Sequence, residues 1–203
     1  MIDLFNMRDY WPNPSYGTEI VNTFDNDIVQ TYRSAFPNDK GVELYEVIKG
    51  NWNDSWFYII DPSRGVLEYS DWYPPTKWYN FRLFGPVVKQ PCVPGKEIIW
   101  GGNQRVGDTI QAQCQTSGIL GQFGWQRVKF DALLPTYTTP AGTFGNVLVL
   151  EYWQSWGNGG DVKGAQMWFA PGLGQIKANW TLNGKPTGFG MTLQRTLKWV
   201  PVA

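Results

Sequence analysis

The sequence contains no histidine. That absence removes Ser-His-Asp and Cys-His nucleophile sites, and with them histidine-ligated zinc and copper centres. Acid–base chemistry near neutral pH would fall to Asp and Glu, or to a shifted Lys, Tyr or Cys. Charge is scarce and balanced: 17 basic and 17 acidic residues make up 17% of the chain, against a usual ~25%. With no net charge and no basic run, a nucleic-acid partner is not expected. No apolar stretch reaches the ~18 residues that would mark a transmembrane helix. The opening MIDLFNMRDYWPNP lacks the basic start and apolar run of a signal peptide. Phosphate-binding loops are missing too, because GLGQIK (172–177) and GNGG (157–160) have neither the strand–loop–helix setting nor the Lys-Ser/Thr ending. No cofactor is expected. Oxygen-rich DND (25–27), NWND (51–54) and GNGGD (157–161) could hold calcium, but none matches an EF-hand loop. Such clusters are ordinary turn formers, so no metal is assigned.

Cysteine occurs only twice, at Cys92 and Cys114. The segment between them looks like a hairpin: EIIW, a turn around GGNQ, then TIQAQC. If it folds back, a Cys92–Cys114 bridge would stabilise by roughly 3 kcal/mol and point to an oxidising compartment. The alternative is a pair of buried free thiols. Two Asn-X-Ser/Thr sequons, at Asn53 and Asn179, matter only in a eukaryotic secretory host.

What the chain has in abundance is aromatic: 12 Trp, 10 Tyr and 11 Phe in 203 residues. Each ring can hide roughly 150–250 Å² of surface, so a large core is within reach and disorder is excluded as the main state. Helical periodicity is scarce, and its best candidate, DNDIVQTYRSAF (25–36), also reads as a strand. Elsewhere apolar and polar residues alternate between Gly, Pro and Asn, giving about a dozen short strands. The expectation is all-β: one domain over 1–203, an antiparallel β-sandwich or a strongly curved, half-barrel sheet. LNGKP (182–186) carries the Asn-Gly hairpin signal, and Pro171-Gly172 reads as a tight turn.

Alternation also assigns faces. In NVLVLEYWQS (146–155), Leu148, Leu150 and Tyr152 form the core face, and Glu151 and Trp153 share the other. In FGWQRVKFD (123–131), Trp125, Arg127 and Lys129 share a face opposite Val128 and Phe130. In FGMTLQRTLKW (189–199), Met191, Leu193, Leu197 and Trp199 read as core, interrupted by Arg195. An Arg there needs a carboxylate partner or a cavity, unless it snorkels at the sheet edge.

The proline-stiffened DWYPPTKWY (71–79) holds two aromatic pairs. Flat C–H faces of sugar rings stack on Trp and Tyr, and Asn, Gln, Asp, Glu and Arg fix the hydroxyls. The expected ligand is therefore a polysaccharide or oligosaccharide, bound without catalysis by Trp72, Trp78, Trp153 and Trp156. Glu151 and Asp71 would accept hydroxyl hydrogen bonds and Arg127 would donate. Three other readings compete. One is a glycoside-cleaving enzyme using Glu151 with a second carboxylate such as Asp71. Another is an envelope protein holding an apolar ligand inside a curved sheet. The last is an assembly subunit with large flat apolar contacts between copies.

Residues 138 to 180 add a resemblance. Thr139-Pro140-Ala141-Gly142-Thr143-Phe144, then Phe169-Ala170-Pro171-Gly172-Leu173-Gly174, resemble a turn-and-strand pattern of bacterial cell-envelope proteins and lipoproteins with a curved antiparallel sheet. DLFNMRDYW resembles their opening segment. The resemblance implies a secreted, periplasmic or envelope-associated domain whose concave face holds an apolar or extended ligand. It carries over no catalytic residue.

Overall fold

The computed structural model describes residues 4–15, 17–34, 44–49, 54–61, 65–72, 98–115, 123–156 and 161–201. Fourteen strands run through them: β1 (Leu4–Asn6), β2 (Thr18–Phe24), β3 (Val29–Ser34), β4 (Leu44–Lys49), β5 (Asp54–Asp61), β6 (Gly65–Trp72), β7 (Ile98–Gly101), β8 (Asn103–Arg105), β9 (Thr109–Gln115), β10 (Phe123–Thr139), β11 (Gly142–Trp156), β12 (Lys163–Ala170), β13 (Gly174–Leu182) and β14 (Lys185–Pro201). Residues 25–34 are the 3-10 turn Asp25–Asp27 followed by β3, so over them the strand reading is the one realised. Twelve strands form one antiparallel sheet in the order β7-β6-β5-β4-β3-β2-β14-β13-β12-β11-β10-β9, and β1 pairs with β8. The all-β expectation holds, in its curved-sheet form. The expected turns form as their residues dictate. Asn183 (φ 50°) and Gly184 (φ 77°) reverse the chain between β13 and β14. Gly172 (φ 67°) follows Pro171 in a turn closed by Leu173 N–H donating to Ala170 O at 3.1 Å.

The sheet curls around a plug made from the chain's own start. Trp11, 3% exposed, lies 5.6 Å from the Tyr58 ring of β5, 5.2 Å from Trp100 of β7 and 5.2 Å from Phe169 of β12. In the hydrogen-bonded order five strands separate β5 from β12, so only strong curvature lets one ring touch both. Trp100 closes the curl by stacking on Tyr152 of β11 at 5.0 Å and 6°. The plug is fixed through its backbone: Met7 N–H donates to Gly102 O at 3.0 Å, Gly172 N–H to Asp9 O at 2.8 Å and Gly174 N–H to Tyr10 O at 2.9 Å. The Tyr58 hydroxyl donates to Pro12 O at 2.6 Å. Gly174 is required there, because a Cβ would meet the Tyr32 hydroxyl at 2.9 Å and Pro12 at 3.0 Å.

Two expectations need correction. The segment 97–115 is not a two-stranded hairpin: β7 pairs with β6, β8 with β1, and β9 with β10. Long β6 and β10 offer more backbone partners than so short a hairpin could supply, and Gly101 (φ 120°) turns the chain from one sheet edge toward the other. Cys114 sits opposite Gly124 on β10, while Cys92 lies outside the described residues, so their pairing remains an expectation. The core face read along 189–199 holds for Met191 and Leu193 and fails at Leu197, while the Trp199 side chain lies outside the described ones. Leu197 is 41% exposed and Arg195 is exposed. The cause is a bulge between Leu193 and Arg195, which moves the side chains from Arg195 to Lys198 to the opposite face.

The interior also holds polar groups. Asn22 donates to Leu173 O at 2.8 Å, and the Tyr32 hydroxyl donates to Gln30 Oε1 at 2.8 Å. Burial holds the Tyr32 phenol well above its ordinary value of 10.0, and the backbone hydrogen bond from Gln175 opposes this only in part. The neutral phenol is the favoured folded form. Its contribution to stability is therefore complete below pH 10.0, the unfolded value, and is lost as pH rises from there through the raised folded value. In an alkaline absorbance titration, Tyr32 should ionise only in the step that coincides with unfolding. Tyr32→Phe should remove one phenol from that step and none from earlier ones. For the plug, Trp11→Ala should cost about 3–5 kcal/mol in urea unfolding. A cost below ~1 kcal/mol would mean that the ring does not organise the curl.

Candidate functional site

On the outer face, register brings side chains from five strands into rows. One row runs Arg127, Trp153, Gly164, Thr181, Pro186 from β10 to β14. The next runs Lys129, Glu151, Gln166, Asn179, Gly190. A third runs Val149, Trp168, Lys177, Thr192, and ends on Asp25, whose Oδ1 accepts from Thr192 N–H at 2.7 Å. The expected face of Glu151 and Trp153 is therefore real and meets that of Arg127 and Lys129. Two rows contain a glycine, and there the surface drops. The result is an open depression of about 910 Å³ across β11–β14, lined among others by Trp153, Glu151, Gln166, Asn179, Trp180 and Phe189.

Two devices shape it. Arg127 lies over the Trp153 ring, 4.4 Å from the centroid, so the protein itself holds one face of that ring. Arg127 is not among the lining residues, so its position braces Trp153 from the β10 side. Toward β12 the ring reaches across Gly164, where a Cβ would stand 3.3 Å from Trp153 Cδ1 and 2.6 Å from Thr181 Oγ1. At the opposite rim stands Phe189, 77% exposed. Register explains it: Thr181 faces Pro186 and Asn179 faces Gly190, so β14 carries extra residues against Trp180. Gly188 (φ 77°) bends this excess outward. The Thr187 hydroxyl donates to Trp180 O at 3.1 Å and accepts from Phe189 N–H at 3.1 Å, fixing the loop that carries the ring. Sequence reasoning missed Phe189. The signal was Gly188-Phe189-Gly190, glycines inside a strand pattern, which mark a bulge.

The long β10–β11 hairpin folds over the neighbouring part of the same face. Its tip returns to β14, where Ala141 N–H donates to Leu193 O at 3.3 Å. Tyr137 near that tip covers Trp168 at 6.0 Å. Lys177 donates to the Tyr137 hydroxyl at 2.9 Å, and its ammonium lies 4.7 Å from the Trp168 centroid. Beside Glu151, Lys129 reaches Asp131 at 2.6 Å and Glu151 at 3.8 Å. The hydrogen bond and charge of Asp131, with a smaller contribution from Glu151, raise the Lys129 ammonium above its usual value.

Of the other expected residues, the backbone positions of three are described. Asp71 and Trp72 lie on β6, opposite Trp56 and Ser55, with seven strands between β6 and β11 in the sheet order. Trp156 ends β11 with its backbone opposite Gly124. Trp78 and the rest of 73–79 lie outside the described residues. The turn acids serve local structure: Asp161 accepts from Asn183 Nδ2 at 2.8 Å, beside the β13–β14 turn. Gly164→Val should displace Trp153 at a stability cost of about 1–3 kcal/mol, visible as a changed near-ultraviolet circular dichroism spectrum. An unchanged spectrum would show that the ring does not depend on that gap.

No protein-family model matches the chain, and no curated protein matches it. Among solved structures, it is similar to an exported-protein candidate of Bacteroides fragilis with a YmcC-like fold, at 12% identity and a TM-score of 0.41, covering 94% of this chain and 100% of that one. It is also similar to a lipoprotein candidate of Parabacteroides distasonis, at 11% identity and a TM-score of 0.42, covering 95% and 100%. The fold described above rests on this chain's own strands.

Proposed function

We propose that this is a non-catalytic carbohydrate-binding protein of the cell envelope or exterior, and that its site is the outer depression. One observation carries the reading: Trp153 and Phe189 stand at the rims of a floor of Glu151, Gln166, Asn179 and Thr181. Sugar rings need this combination, an aromatic surface for C–H faces and paired donors and acceptors for hydroxyls. The depression is open, which suits a chain segment laid along the sheet. The rival site, the concavity of the sheet, is occupied among the described residues by Met7, Tyr10 and Trp11. An apolar ligand would have to displace them. A second carboxylate, Asp25, lines the depression with Glu151, in place of the Asp71 expected for a cleaving pair. The location follows from the richness in Trp, Gly and Pro, and from the envelope-protein resemblance of 138–180.

Calorimetric titration with a panel of soluble polysaccharides tests this reading. One glycan should bind saturably and remain uncleaved on incubation. Trp153→Ala and Phe189→Ala should each weaken it about tenfold, or about 1.4 kcal/mol. Full affinity in both variants would remove the depression as the site.

A further inference from the structure

We propose that the depression selects glycans bearing free amino groups, that is, hexosamine chains with unacetylated amines. The inference rests on the carbohydrate reading above and concerns the charge that the site presents. Three charged residues line the depression among the described residues: Asp25, Glu151 and Lys177. The cation is already engaged, since Lys177 donates to the Tyr137 hydroxyl at 2.9 Å and its ammonium lies near the Tyr137 and Trp168 rings, 5.6 and 4.7 Å from their centroids. Its charge is directed toward Tyr137 of the β10–β11 hairpin.

The two carboxylates are less well answered. Asp25 takes the Thr192 N–H at 2.7 Å and has no ion-pair partner among the described residues. Glu151 reaches only Lys129 among them, at 3.8 Å, and that ammonium is closer to Asp131, at 2.6 Å. Among the described lining residues, acids therefore outnumber cations two to one. A uronate or a sulfate ester would be repelled by both acids. An ammonium would be attracted by both, and would also find the faces of aromatic rings, which favour cations. Trp153 already serves in this way, with the Arg127 guanidinium 4.4 Å from its ring centroid. Gln166 and Asn179, lying between the acids and the aromatic rim, are left to serve the uncharged hydroxyls.

The test is calorimetric titration of the full chain at mildly acidic pH and low salt. Three oligomers of equal length are compared: glucosamine, N-acetylglucosamine and galacturonic acid. The amine form should bind roughly three- to tenfold more tightly than the N-acetyl form, as expected for two exposed charge contacts, and the uronate should bind most weakly. High salt should compress the difference. The double variant Asp25→Asn, Glu151→Gln should bring the amine-to-acetyl ratio close to one. The side-chain amide oxygen left by Asp25→Asn would still accept from Thr192 N–H, so the turn should survive the change. Equal or tighter binding of the N-acetyl form, or preference for the uronate, overturns the amine selectivity and leaves the carbohydrate reading in place. Binding of another glycan with no binding of the three oligomers has the same effect. Failure of every glycan to bind overturns both.

Discussion

The burial of Trp11 is the constraint on which the rest of this architecture depends. A broad antiparallel sheet has two faces to cover and two edges to protect, and nothing in a strand ladder covers a face. Here one face is covered by curling the sheet onto an aromatic plug. Trp11 touches rings carried by β5, β7 and β12, while backbone bonds from Met7 to Gly174 hold the plug in place. Among the described residues the plug fills the concave side, which leaves the convex face open to a ligand.

That convex face works by register. In an antiparallel ladder, residues opposite one another share a face and stand close together. The pairing of β10 through β14 therefore turns five separate segments into continuous rows of side chains. Gly164 and Gly190 lower the floor, while the bulge at Thr187–Phe189 raises the rim. Tyr137 near the hairpin tip covers Trp168, which would otherwise leave an apolar patch beside the site. The same face thus holds a small second core and an open polar trough.

Much of this was legible in the residues. Alternation placed Leu148, Leu150 and Tyr152 inside and Glu151 and Trp153 outside, because β11 keeps a strict period of two over that stretch. The turns at Asn183-Gly184 and Pro171-Gly172 were legible because positive φ has few residues to serve it. What escaped were the bulges. One extra residue inverts the side chains that follow it up to the next bulge, so Arg195 and Leu197 were assigned to the wrong face and Phe189 was overlooked. Long-range partners escaped as well. Asp25 reaches Thr192 across 167 positions, and nothing in local pattern announces such a pair. The splitting of 97–115 among three partners was hidden for the same reason, since a local hairpin and two distant edges look alike in a short strand.

The junction of β2 with β14 has a temporal consequence. Apart from that junction, strands β9 to β14 pair only with sequence neighbours, and so do β2 to β7, which makes each half a meander. Joining the halves requires Ile20 to find Lys198 and Phe24 to find Leu193. Such a closure is entropically slow compared with any hairpin in the chain. During synthesis β2 emerges early and has to wait for almost the whole of the rest before its partner exists. Until then it has a bare edge exposed to other chains, so its assembly is most vulnerable to misassociation in the interval before β14 arrives.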